Sequence, residues 1–295
     1  MAALSIITYG VAFSYLTLLK HYNFYSFAAD LGVFNQALYT TLFDKKIFYY
    51  TPELWLNPTG CYFAVHFSPI LFLILPFYAI HPSPETLLVF QAFLLAGAAA
   101  PLYLMAKKML KNEKFSLALV LVYLLYPPLH GANWFDFHQQ AFIPIMLFTV
   151  YYFYLKQSWK LYVITSLLAL TIQEHLVYIV FCIGLYNLIK EAIPAKKETK
   201  NNFQPNLNVI QRLKSIVNWM LKQKMLLASL IIIFLSAAWF QITSIVKSCY
   251  PITKDFIDLY RAVDTFKILG FKGDILQLPL YLILNPFKAY EAISF

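Results

Sequence analysis

Residues 130–140 read HGANWFDFHQQ: two histidines and an aspartate in a short turn, between the apolar segments VYLLYPPL (122–129) and AFIPIMLF (141–148). Two apolar runs joined by a polar turn read as a membrane hairpin, with Asp136 and His138 at the bilayer boundary. An ionisable group held at a bilayer is costly and usually has a function.

The rest of the chain has the same character. Of 295 residues, 60% are hydrophobic, 18% aromatic and 13% charged, a balance that one water-soluble core could not bury. The expected class is an all-α, polytopic transmembrane helix bundle of about seven to nine helices, multi-pass in the cell membrane. With roughly 20 residues needed to cross a bilayer as helix, spans fall near 2–19, 61–80, 86–106, 115–129, 141–155, 159–190 and 225–247. A last one starts near 275. No small-residue cleavage site follows the first run, so it reads as a retained span.

Two of these runs are irregular. Residues 61–80 carry His66, Pro69 and Pro76, which predicts a kinked helix or one that dips in and returns. The run 159–190 is long for one span and short for two. With Gln173, Glu174 and His175 in its middle it is expected to be two half-length helices meeting at a polar break, because backbone can unwind at membrane depth only where protein or water covers it.

Lysine placement sets orientation, since positive residues in short loops stay in the cytoplasm. Lys107, Lys108, Lys111 and Lys114 surround one turn, and Lys156 and Lys160 another two crossings later. Both are expected inside, which places Asp136, His138, His81 and Glu85 outside. The segment 191–224 holds Lys196, Lys197, Lys200, Arg212, Lys214, Lys222 and Lys224 against Glu191 and Glu198. It reads as a basic cytoplasmic linker lying against anionic headgroups, not as a nucleic-acid site. The formal charge of +9 is thus mainly a topology signal.

The segment from His21 to Pro58 is too polar to span. Within DLGVFNQALYTTLF (30–43), Leu31, Phe34, Leu38 and Leu42 recur at helical spacing, which predicts an interfacial helix in the first outer loop. Asp30 stands at its start, where a carboxylate is favourable as a cap. Cys61, Cys182 and Cys249 form no metal knuckle, and eight glycines leave little room for a phosphate loop. No internal repeat of the transporter kind is found.

The series DLGVFNQALY (30–39), HFSPILFLILPFYAI (66–80), QAFLLAGAAAPLYLMAKK (91–108) and VYLLYPPLHGANWFDFH (122–138) resembles an uncharacterised family of predicted archaeal and bacterial membrane proteins related to the GT-C superfamily of glycosyltransferases. The resemblance covers roughly residues 25–190. It implies a GT-C-like module over 1–190 with a first outer loop at 20–60, the linker 191–224, and further helices over 225–295 with an outer loop at 248–274. It also implies a catalytic face outside, on which a first-loop acid serves as base or metal ligand in transfer of a sugar from a lipid-linked phosphate donor. Asp30 matches that acid, Asp136 and His138 match a second outer loop, and Glu174 a third polar position.

The expected site therefore has Asp30, Asp136 and Glu174 as catalytic residues and His138, His66, Gln36 and His175 in contact with substrate. Asp30, Asp136 and His138 would ligate any divalent cation, Mg or Mn. The partners are membrane lipid, a polyprenyl-phosphate-linked sugar and a second membrane protein. Such chemistry needs a base for the acceptor hydroxyl and a cationic hold on the leaving phosphate.

The chain departs from the family pattern where Gln139 and Gln140 follow the DFH turn and where Gln173, Glu174 and His175 stand in place of Lys-Glu-Asp. Relatives continue through several more spans, so the chain reads as a C-terminally short form. A full crossing by 61–80 would put Asp30 and Asp136 on opposite sides.

Plainer roles compete at each position. His66 and His81 would satisfy helix ends; Trp55, Trp134 and Trp159 would be interfacial anchors. Asp255, Asp258 and Asp264, alternating with Lys254, Arg261 and Lys267, would lie on a solvated helix. Glu174 calls for His175 or an outer-loop lysine as partner. Two other functions fit the same residues: a transporter or ion-conducting protein using Glu174 and His175, and a catalytically inactive assembly or lipid-binding protein.

Overall fold

The computed structural model describes residues 1–201, 223–253, 270 and 278–293. The described residues are all-helical, with one isolated bridge between Tyr49 and Cys61. Four helices are long and apolar enough to cross a membrane: α1 (Ala2–Tyr22), the continuous run Pro84–Leu110, the part of α11 (Leu176–Asn201) up to Ile193, and α12 (Lys224–Ser248). The pair α7 (Glu113–Leu124) and α8 (Pro127–Trp134), bent by 45°, makes a fifth if counted as one span. Pro127 and Pro128 lie at that bend and remove backbone donors there. In the same way α5 (Pro84–Gly97) passes into α6 (Ala99–Leu110) across a break at Ala98, where Pro101 leaves the Gly97 carbonyl without its helical partner. α9 (Phe142–Leu155) and α10 (Trp159–Leu170) have 14 and 12 residues, short of the roughly 20 that an upright span needs.

Helix α1 packs along α5, α6 against α7 and α9, α9 against α10, and α10 and α11 against α12. Glycine permits the first contact: a Cβ on Gly10 would stand 2.7 Å from the Phe93 ring. Chain direction then sorts charge. The far ends of α6, α9 and α11 and the start of α12 carry Lys107, Lys108, Lys156, Lys190 and Lys224 at one end of the bundle. The other end is closed by a polar and aromatic cap, built mainly from residues 23–83.

The cap decides between the two expectations for residues 61–80. Residues 61–80 do not cross. They form α3 (Tyr62–Val65), a 3-10 turn (Pro69–Leu73) and α4 (Leu75–Tyr78), because His66 is extended and Pro69 and Pro76 deny the donors of a continuous helix. The Ile70 N–H instead donates to the Thr171 carbonyl at 3.0 Å, and Ile70, Leu71, Ile74 and Tyr78 are buried. Helix α2 (Val33–Leu42) turns its apolar face inward: Val33, Phe34, Ala37 and Leu38 enter the cap core with Phe48, Tyr62 and Phe137. Its apolar face had a protein partner available, and burial there removes as much apolar surface from water as a headgroup layer would.

The expected break within 159–190 is present at Thr171–His175, but its second half is no half-helix, since α11 runs from Leu176 to Asn201. Of the linker 191–224, the first part continues α11, and 202–222 lie outside the described residues. The same holds for the alternating charges of 254–267. Near 275 the described residues form two short helices, α13 (Leu278–Leu284) and α14 (Pro286–Ile293), separated at Asn285.

Candidate functional site

Since 61–80 stays on one side, Asp30 and the DFH turn meet in the cap. A π-helical turn, Ala28–Gly32, presents Asp30, whose side chain caps no helix. Its Oδ1 lies 3.4 Å from His138 Nε2, and each side chain is about one-third exposed. The other ring nitrogen, Nδ1, lies 3.0 Å from the Asp136 carbonyl oxygen. Phe34 and Phe135 flank the imidazole, with ring centroids at 5.7 and 5.2 Å. This half-open carboxylate and imidazole, 108 residues apart in sequence, can exchange a proton with a substrate group.

Asp136 does not join them. Its side chain is fully buried: Oδ1 pairs with Lys20 Nζ at 2.9 Å and Oδ2 accepts from the Phe27 N–H at 2.5 Å. Lys20 Nζ also donates to the Trp134 carbonyl at 3.0 Å. Asp136 thus ties the end of α1 and residue 27 to the turn, and both of its oxygens are occupied. The backbone of the turn is held by Gln91 of α5, 2% exposed. Its Nε2 donates to the Ala132 and Asp136 carbonyls at 3.2 and 3.3 Å, and its Oε1 accepts from the His138 N–H at 2.9 Å.

A second charged cluster sits at the same end. Glu174, in the break before α11, pairs with Lys247 at 2.7 Å and with His66 Nδ1 at 3.4 Å. Lys247 Nζ also donates to the Val65 carbonyl at 2.9 Å, and Gln173 Nε2 lies 3.0 Å from His66 Nδ1. Burial opposes charge on Glu174, but His66 beside it and the Lys247 charge outweigh it and hold the carboxyl down at about 2. His175 is exposed and stands apart from these bonds. Gln36 serves the cap, its Oε1 accepting from the Thr51 N–H and hydroxyl at 2.9 and 3.0 Å. His81 lies 2.6 Å from the Ser83 hydroxyl at the start of α5.

The two clusters share an aromatic wall. Tyr62 Oη donates to Gln139 at 3.1 Å, and the Tyr62 ring lies 5.0 Å from Phe34 and 5.9 Å from His66. Asp30, His138, His66 and Glu174 are thus gathered at one end of the bundle, while Asp136 and Gln36 serve its construction.

The expected metal set fits poorly. With Asp136 turned to Lys20, only Asp30 and His138 remain as donors, and no group of three His, Cys, Asp or Glu suited to a metal ion exists among the described residues. Two donors are fewer than a protein-held divalent ion takes, so no step below is routed through one.

Sequence reasoning missed Lys20, Lys247 and Gln91. The lysines carried a signal: each stands at the end of a span opposite to the other lysine clusters, against the charge rule, and so requires a counter-charge. Gln91, polar within VFQAFLL (89–95), carried a weaker one.

These features define a helical membrane protein with a polar, loop-built cap over one end of its bundle. The chain belongs to the family described as predicted membrane protein (DUF2079), whose model matches residues 20–294. No curated protein and no solved structure matches it.

Proposed function

We propose that the protein is a GT-C-like membrane glycosyltransferase that moves a sugar from a polyprenyl-phosphate donor at the capped end of its bundle, on the outer face of the membrane. The observation that carries the reading is the Asp30 and His138 pair, 3.4 Å apart and open to solvent on one side. Asp30 takes the proton of the acceptor hydroxyl as the C–O bond to the donor phosphate breaks and polyprenyl phosphate leaves with its electron pair, and the Nε2 lone pair of His138 then receives that proton from the carboxyl. The short, non-crossing run 61–80 supports a common site, because it keeps Asp30 and the DFH turn on one face. Glu174 joins the cap to α12 through Lys247, which supports a building role for it over the mid-membrane role that ion conduction would require.

The test is transfer of labelled sugar from a panel of polyprenyl-phosphate sugars to membrane acceptors, in vesicles carrying wild-type, Asp30→Asn or His138→Gln protein at equal abundance. Loss of about 2–4 orders of magnitude is expected for Asp30→Asn, the usual worth of a positioned base. Transfer that survives this change at the wild-type rate overturns the reading.

A further inference from the structure

We propose that Gln91 is a positioning residue: it fixes the His138 tautomer, so that Nδ1 carries the proton and the Nε2 lone pair faces Asp30. The inference rests on the Asp30 and His138 pair of the function proposed above and assigns the device that orients it.

The argument begins at the Asp136 carbonyl oxygen, which can only accept. His138 Nδ1 lies 3.0 Å from it, so Nδ1 carries the proton. A neutral imidazole bears one N–H, which leaves the Nε2 lone pair aimed at Asp30 Oδ1. Any proton that passes between the ring and this carboxylate therefore passes at Nε2. In the opposite tautomer a lone pair would meet the carbonyl, and that oxygen would lose its ring donor. The partner of one ring nitrogen fixes the role of the other.

This logic requires the Asp136 carbonyl to stay where it is, and a contact between residues two apart does not secure it. His138 itself is extended, with φ −141° and ψ 144°, and could swing with its turn. Gln91 prevents that by gripping both ends of the dipeptide at once, donating to the Asp136 carbonyl and accepting from the His138 N–H. The amide orientation is dictated by these partners, since two carbonyls need the NH₂ and one N–H needs the oxygen. The residue stands on α5, a long helix packed against α1 and α9, so the grip is rigid. Asp136's own carboxylate, bound to Lys20 and to the Phe27 N–H, holds the other side of the turn.

The experiment reads the ring nitrogens directly. The full-length protein in lipid nanodiscs, with nitrogen-15 in its six histidines, is examined by NMR at a pH where the rings are neutral, and His138 is assigned by the signal lost in His138→Gln. Wild-type His138 is expected as the Nδ1–H tautomer. Gln91→Met, similar in length and unable to make these bonds, is expected to move the ring from nearly all Nδ1–H to less than half, with the other five histidines unchanged. Gln91→Glu keeps the acceptor and loses the donor, so it should fall between the two. It supplies the reading where Gln91→Met fails to fold, as general broadening would show.

A wild-type ring protonated at Nε2 overturns the proposal, and so does an Nδ1–H ring that neither substitution disturbs. Asp30→Asn should leave the tautomer intact. A surviving tautomer without any sugar transfer in the vesicle assay would therefore sink the function and spare the positioning role.

Discussion

Replacing Lys20 with methionine should be among the most damaging single changes in this protein, because it strands a buried carboxylate. The Asp136 side chain is fully buried and that of Lys20 is 7% exposed, with 2.9 Å between the charges, so solvent screens the pair very little. Removing one member of such a pair costs about 3–5 kcal/mol, most of it the penalty of the unpaired charge left behind. At roughly 2–3 °C for each kcal/mol in a chain of this size, the apparent unfolding temperature in nanodiscs should fall by about 6–15 °C.

The partner change separates charge from packing. In Asp136→Asn the side-chain oxygen can still accept from the Phe27 N–H, and in the double variant Lys20→Met/Asp136→Asn no charge remains to be stranded. The double variant should therefore be more stable than the sum of the two single losses by about 1.5 kcal/mol or more, within the range measured for contacting residues. Additive losses, or a drop of under about 2 °C for Lys20→Met, would refute the reasoning, since either would mean that the pair is hydrated and does not tie α1 to the turn.

Glu174 yields a pH signature. Its folded value of about 2 lies below the usual 4.5, so it contributes stability that is complete above pH 4.5 and is lost as pH falls toward 2. The full difference corresponds to about 3 kcal/mol, reduced to about 1–2 kcal/mol because Lys247 is one-third exposed and screened. The stability gap between wild type and Glu174→Gln should be constant from pH 7 to about 5 and shrink below that; a gap unchanged down to pH 3 would remove the ion cluster from the account. Side-specific labelling tests the common face. With Cys61, Cys182 and Cys249 replaced, Tyr25→Cys and Trp134→Cys should react with an impermeant thiol reagent added outside intact cells, and Lys111→Cys only after permeabilisation. Opposite sides for the first two would split the site.

Much of this was legible along the chain. The apolar runs and the lysine clusters located the long helices and the end of the bundle at which polar side chains collect. Pro69 and Pro76 marked breaks, because a missing N–H acts locally; the bend at Pro127 and Pro128, inside a run read as one span, appeared only in the structure. His138 could be picked out as a residue that an apolar setting does not explain, and Asp30 through the family resemblance. Their pairing could not, because it depends on whether 61–80 crosses, and that was decided by a hydrogen bond to Thr171 and a core of four buried side chains from distant elements. Asp136 shows the same limit: in sequence it looks as open to chemistry as His138 two residues away, and only the arrival of Lys20 separates them.

Taken alone, the sequence determined class: an apolar helical chain for a membrane, with lysines clustered beside particular runs. Hydrophobicity, helix length and proline act over one or two turns and can be read in order. Which acid is buried and paired, which is exposed beside a histidine, and which amide grips the turn were settled only when helices far apart in the chain packed together, because an ion pair or hydrogen bond exists only at distances near 3 Å that tertiary structure alone brings about.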